Sequence, residues 1–207
     1  MAFEAPVHPR PAMSLIVDGL PPHGAGLYIG DSEAARDEAM LRDHRITTVV
    51  NCAVNLDINY VRDPAQVQTE TKCATGYGPV RYYKLGLVDG DGNPETMMLA
   101  GYFMLDGAAR QQLPERPTYP RRERGNILVH CRGGRSRSVA LVALYMHMQL
   151  TDRFPTIDAA IEHIRTYREL QPDEWFETPK PMLLEAARRA ARWARLIEAD
   201  AVTLGKE

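Results

Sequence analysis

One stretch combines residue types that could do chemistry together: Asn126-Ile127-Leu128-Val129-His130-Cys131-Arg132-Gly133-Gly134-Arg135-Ser136-Arg137-Ser138. Ile127 to Val129 reads as a buried strand, and an apolar helix follows from about Arg135 to Gln149. A strand feeding a glycine loop that opens a helix makes an anion cradle. The loop N–H groups converge, and the helix N-terminus carries partial positive charge. A thiol at the mouth of such a cradle is acidified, because the amides, the helix end and Arg132, Arg135 and Arg137 all favour the thiolate. The thiolate is the nucleophile. The planar fork of Arg137 suits two oxygens of a bound phosphate. The Ser138 hydroxyl can hydrogen-bond the sulfur and stabilise it as a leaving group. Gly133 and Gly134 let the backbone approach a ligand with no Cβ in the way.

The elements around this loop alternate. Ser14–Val17 reads as an edge strand, Leu27–Gly30 as a second strand, and Asp31 or Ser32 caps a helix to about His44 with Ala35, Ala39 and Met40 inward. Ile46–Asn51 is a β-branched strand leading to Cys52-Ala53-Val54-Asn55, and residues 55–79 read as loop. Val80–Leu87 is a strand, Val88–Pro94 a dense turn, and Pro94 opens a helix to about Gln111 carrying Met97, Met98, Tyr102, Phe103 and Leu105. Leu113–Gly125, rich in Pro and Arg, reads as an inserted, solvated surface loop. Helices are expected over Thr156–Leu170 and from Pro181 to about Ala199, the latter with an apolar seam of Leu183, Ala187, Ala190, Ala194 and Ile197. This order predicts an α/β fold: a single mixed or parallel sheet flanked by helices on both faces, with the site at strand C-terminal ends. The helix after the loop is apolar all round over Val139–Met146, so it is expected at the centre of the core.

With 207 residues, the chain suffices for one well-cored domain, expected over 14–200 behind a flexible N-terminal tail at 1–13. A net charge of −2 gives no global pull toward nucleic acid. Three cysteines, Cys52, Cys73 and Cys131, form no secreted disulfide framework, and a reducing cytoplasm fits them best. The N-terminal stretch lacks the apolar core of a signal peptide, and no run approaches membrane-spanning length. Oligomeric state is not readable from the sequence.

The order His130-Cys131, five residues, Arg137-Ser138 resembles the signature loop of the cysteine-dependent protein tyrosine phosphatases. The finer pattern is similar to the dual-specificity branch, and the resemblance runs from about Leu27 to about Leu184. A cysteine sulfurtransferase loop fits less well, given the paired serines. The resemblance implies a phosphatase that forms a phosphocysteine, with Cys131 as nucleophile. Residues 132–137 (Arg132, Gly133, Gly134, Arg135, Ser136, Arg137) would bind the phosphate, and Ser138 would assist thiolate release. It also implies that His130 orders the loop rather than attacks. No cofactor or metal is expected, since guanidinium and amides supply the charge.

Ester cleavage by a thiolate needs an acid for the leaving oxygen and then a base for water. Asp89 and Asp91 are the candidates in the Gly-rich turn. Laid against dual-specificity phosphatases, Leu85-Gly86-Leu87-Val88-Asp89-Gly90-Asp91 puts Asp91 at the acid position, with Asp89 as the alternative. The stretch from Asp91 to Cys131 is longer than usual in that branch, and the Pro/Arg loop absorbs the excess. By the same resemblance Cys52 is either a packing thiol or a redox partner for Cys131. The expected substrate is a phosphorylated protein. One alternative is an anionic phospholipid, since Arg132 and Arg135 make the loop similar to that of phosphatidylglycerophosphate phosphatases. The other is a non-catalytic phosphate-binding module.

Overall fold

Side chains alternate across the central strand: Ile127 and Val129 face one apolar cluster, while Leu128 between them faces another. That alternation sets the architecture, described by a computed structural model over residues 6–62, 73–119 and 122–204. The strands are β1 (Met13–Leu20), β2 (Ala25–Gly30), β3 (Ile46–Ala53), β4 (Arg81–Leu87) and β5 (Asn126–His130). They form one sheet in the order β1-β2-β5-β3-β4. β1 runs antiparallel to β2 at the edge, and the other pairings are parallel. β5 thus lies in the middle, and all four residues from Ile127 to His130 are buried.

The helices are α1 (Ser32–Arg36), α2 (Glu38–Asp43), α3 (Met97–Arg110), α4 (Arg137–Gln149), α5 (Ile157–Tyr167) and α6 (Pro181–Leu204). α1 and α2 cover the smaller cluster through Ala35 and Leu41, with Ile46, Val49 and Leu128 beneath. On the other face α4 is enclosed by α3, α5 and α6, and every residue from Val139 to Met146 is at most 1% exposed. Both faces of the sheet are therefore covered, as the periodicity predicts. A helix buried on all sides has no freedom to tilt, so its N-terminus is a fixed point.

Four local expectations are corrected. The helix expected from Asp31 to His44 is two helices. Asp37 takes an extended conformation (φ −89°, ψ 97°) that ends α1, and its carboxylate accepts from Met40 N at 2.9 Å to start α2. The break changes the inward face: Ala34, Ala35 and Leu41 are buried, while Ala39 is exposed. α3 begins at Met97, not Pro94, because the Pro94 carbonyl accepts from Met97 N in a preceding turn, and Phe103 lies partly in solvent. α6 runs a turn further than Ala199, and Ile197 is exposed because the helix has by then passed beyond the core.

Residues 111–119 and 122–125 carry no helix or strand, in keeping with an inserted loop. The sequence reads residues 6–12 as part of a flexible tail, yet they are hydrogen-bonded to Arg135 in the loop after β5, to Arg168 and to Glu174, as described next. No helix among the described residues is long and apolar enough to cross a membrane.

Candidate active site

β5 ends at His130 and α4 starts at Arg137, so residues 131–136 must turn between two buried elements. Gly134 makes that turn possible. Its φ of +62° is left-handed, and a Cβ there would sit 2.6 Å from the Gly30 carbonyl oxygen of β2. Its constraint is thus close packing on the sheet rather than on a ligand. Gly133 has ordinary φ and only ordinary contacts. The loop floors a cleft of about 760 Å³, lined among others by Cys131, Arg132, Ser136, Arg137, Asp89 and Lys180.

Cys131 is 3% exposed. Burial alone pushes its thiol up. The Ser138 hydroxyl, whose Oγ is 3.3 Å from Sγ, the Ser138 and Ser136 backbone N–H groups and the Arg137 charge together outweigh it, so the thiol lies below its ordinary value. The amides that acidify the sulfur belong to the first turn of α4 and the residue before it, which ties acidity to the buried helix.

Arg137 is 3% exposed. Its Nη1 donates to the Leu87 carbonyl at 3.1 Å and to Asn55 Oδ1 at 3.3 Å. Nε is buried, has no hydrogen-bond partner among the described residues, and lies 3.8 Å from Asp89 Oδ1. A guanidinium fixed on one edge by a strand end and a loop amide leaves its other edge for an anion.

The two aspartates are placed differently. Asp89 lines the cleft beside Arg137. Asp91, two residues on and exposed as Asp89 is, is not among the lining residues. The Asn93 side chain sets the turn, accepting from Val88 N at 2.8 Å and donating to the Val88 and Gly90 carbonyls. Lys180 Nζ donates to the Asp89 carbonyl at 3.1 Å and ties the turn to the start of α6.

His130 lies behind the loop, fully buried, with Nδ1 3.3 Å from the Cys131 carbonyl oxygen. Burial holds its pKa down to about 4, despite the bond to that carbonyl, and the Arg137 charge adds to the effect. The ring is therefore neutral at physiological pH and can support the loop without adding charge. Cys52 follows Asn51, the register partner of His130, so it sits beside Cys131 on the adjacent strand end, in the same apolar cluster. Burial, and then the nearby Cys131, push the Cys52 thiol well up. Both thiols are free, as is exposed Cys73.

Sequence reasoning missed three supports. Asn55 orients Arg137. Arg168, fully buried, donates to the Gly134 carbonyl at 3.3 Å, the Pro11 carbonyl at 2.7 Å and Ser14 Oγ at 3.1 Å, fixing the loop to the N-terminal segment. Desolvation, with Arg10 nearby, lowers its pKa to about 10. Glu174, also fully buried, bonds Arg10 and Arg135. Each is a lone polar residue far along the chain from its partner. Only the cost of burying a charge marks Arg168 and Glu174, and that is invisible before burial is known, while Asn55 is an exposed loop amide with no such mark.

This arrangement, with a parallel-centred sheet and a cysteine loop at the N-terminus of a buried helix, is the tyrosine-phosphatase-like α/β fold. A solved structure of a mouse putative dual specificity phosphatase complexed with zinc tungstate aligns with TM-score 0.58 at 17% identity, covering 98% of each chain. By sequence, the chain is 30% identical over 150 residues to human dual specificity protein phosphatase 13B and 29% identical to the mouse protein of that name. Each alignment covers 72% of this chain and 65% of the relative, so the chain spans about two thirds of these proteins' length. No family model matches. The chain thus shares the tyrosine-phosphatase-like fold, and its sequence is similar to dual specificity protein phosphatases over 72% of its length.

Proposed function

We propose that the chain hydrolyses phosphate monoesters of proteins, on phosphotyrosine and also on phosphoserine and phosphothreonine, through a phosphocysteine and without a metal. The observation that carries this reading is the acidified Cys131 on the cleft floor, 3.3 Å from Ser138 Oγ and beside the fixed guanidinium of Arg137.

The Cys131 thiolate attacks phosphorus, an S–P bond forms, and the ester P–O bond breaks. The leaving oxygen takes a proton from an aspartic acid. The resulting carboxylate removes a proton from water, which attacks phosphorus and expels the thiolate. Ser138 stabilises the departing sulfur, and the loop N–H groups with Arg137 hold the equatorial oxygens throughout. The enzyme returns to its starting protonation, and the products are alcohol and inorganic phosphate. Cytoplasmic action on a phosphorylated protein follows as part of this proposal, as does the assignment of one catalytic domain to residues 14–200.

Geometry supports Asp89 as the acid, because it faces the cleft, whereas Asp91 is supported only by alignment. Phosphate release from a phosphotyrosine peptide, in chelator, separates them. Asp89→Asn is expected to lower kcat by about 10²-fold or more and to flatten the acid-dependent limb of the pH profile. Asp91→Asn should stay within a few-fold of wild type. The reverse pattern would give the role to Asp91.

A further inference from the structure

The loop's extra arginines suggest a cleft for heavily charged phosphates, but their surroundings argue otherwise. Arg135 Nη1 donates to Glu174 Oε2 at 3.0 Å and to the Pro6 carbonyl at 3.2 Å. Arg10 Nη2 reaches both Glu174 oxygens, at 2.8 and 2.9 Å. Glu174 is completely buried. Burial alone would push its carboxyl up, but the Arg10 bond, the Gln171 N–H and the Arg135 bond hold it below its ordinary value, so it is an anion. One buried carboxylate therefore binds two guanidiniums, one from the N-terminal segment and one from the phosphate loop.

The charges around the cleft tell the same story. Besides the clasped Arg10 and Arg135, its cations are Arg132, Arg137 and Lys180, and it is also lined by Asp31, Glu33, Asp89 and Glu177. Glu33 is paired with Arg36 outside the cleft, and Glu174 stands behind the wall. Arg132 is exposed, and its side chain makes no ion pair among the described residues. A site for several phosphates needs a surplus of unpaired cations at the substrate surface. Here the loop offers one arginine beyond Arg137, and Lys180, whose Nζ is bonded to the Asp89 carbonyl, is the other cation lining the cleft.

We infer that Glu174 is a positioning residue that withdraws Arg135 from the substrate, and that this clasp restricts the cleft to protein substrates bearing a single phosphate. The inference rests on the phosphatase reading and narrows its substrate class. It makes residues 6–11 one wall of the cleft. It also disfavours the polyphosphorylated lipids that the loop's sequence invites.

The test compares kcat/KM on a phosphotyrosine peptide with that on a water-soluble phosphatidylinositol trisphosphate. Wild type should prefer the peptide by about tenfold or more. In Glu174→Gln the freed Arg135 can reach a second phosphate, and the lipid-to-peptide ratio should rise about tenfold, the usual scale for one charge-assisted contact. Where that variant fails to fold, Arg135→Ala decides. Its ratio should move less than about twofold, because Arg135 is already withdrawn. A wild-type preference for the lipid, an unmoved ratio in folded Glu174→Gln, or a tenfold fall of the ratio in Arg135→Ala would each overturn the clasp. Para-nitrophenyl phosphate serves as the common control. If wild type does not hydrolyse it, the phosphatase reading fails; if it does and the ratios disagree, only the clasp fails.

Discussion

Cys131→Ser should lower kcat by about 10⁴-fold or more on any phosphate monoester, a loss of about 5 kcal/mol in barrier lowering. In the proposed mechanism the acidified sulfur is the nucleophile, and a serine hydroxyl in its place is far from ionised at neutral pH. The same interactions that acidify the thiol, from Ser138, the Ser136 and Ser138 amides and Arg137, remain in the variant. Binding should therefore survive. A phosphotyrosine peptide titrated calorimetrically into Cys131→Ser should bind at least as tightly as to wild type, because a negative charge beside the phosphate has been removed. Loss of binding together with turnover would mean that the loop collapses without its thiol. Retained turnover would remove Cys131 from the chemistry.

Arg137→Lys should lower kcat by about 10³-fold while KM changes by less than about tenfold. Lysine keeps the charge but not the fork, and it cannot hold the Leu87 carbonyl and Asn55 while presenting two donors to phosphate. The charge on the equatorial oxygens is redistributed as the ester bond breaks, so most of the loss should fall on the transition state rather than on substrate binding. Steady-state kinetics on para-nitrophenyl phosphate checks this. A kcat within tenfold of wild type would show that a point charge suffices and that the fork has no special part.

The centre of this fold was legible because its signals are local. Ile127–Val129, the glycines and the apolar run to Met146 are contiguous in sequence, and strand, loop and buried helix follow from periodicity alone. The limits of that reading are equally specific. Asp37 interrupts a helix whose apolar spacing looks continuous, since a residue that can cap one helix can also end another. Asp89 and Asp91 sit on either side of Gly90 in one turn, and only the direction of the turn separates them. Pro6–Ala12 reads as tail because its composition is polar and Pro-rich. What anchors it lies far along the chain, at Arg135, Arg168 and Glu174. Contacts of that range follow from topology, which brings β1 and the turn before α6 to the same end of the sheet.

The most direct test is to look for phosphorus on the sulfur. Wild type mixed with para-nitrophenyl phosphate in chelator, quenched in acid within milliseconds and digested, should yield a Cys131 peptide heavier by one phosphoryl group. That peptide should accumulate further in Asp89→Asn if Asp89 activates the hydrolytic water. Steady turnover with no phosphate on Cys131, or with phosphate on another residue, would contradict the phosphocysteine mechanism.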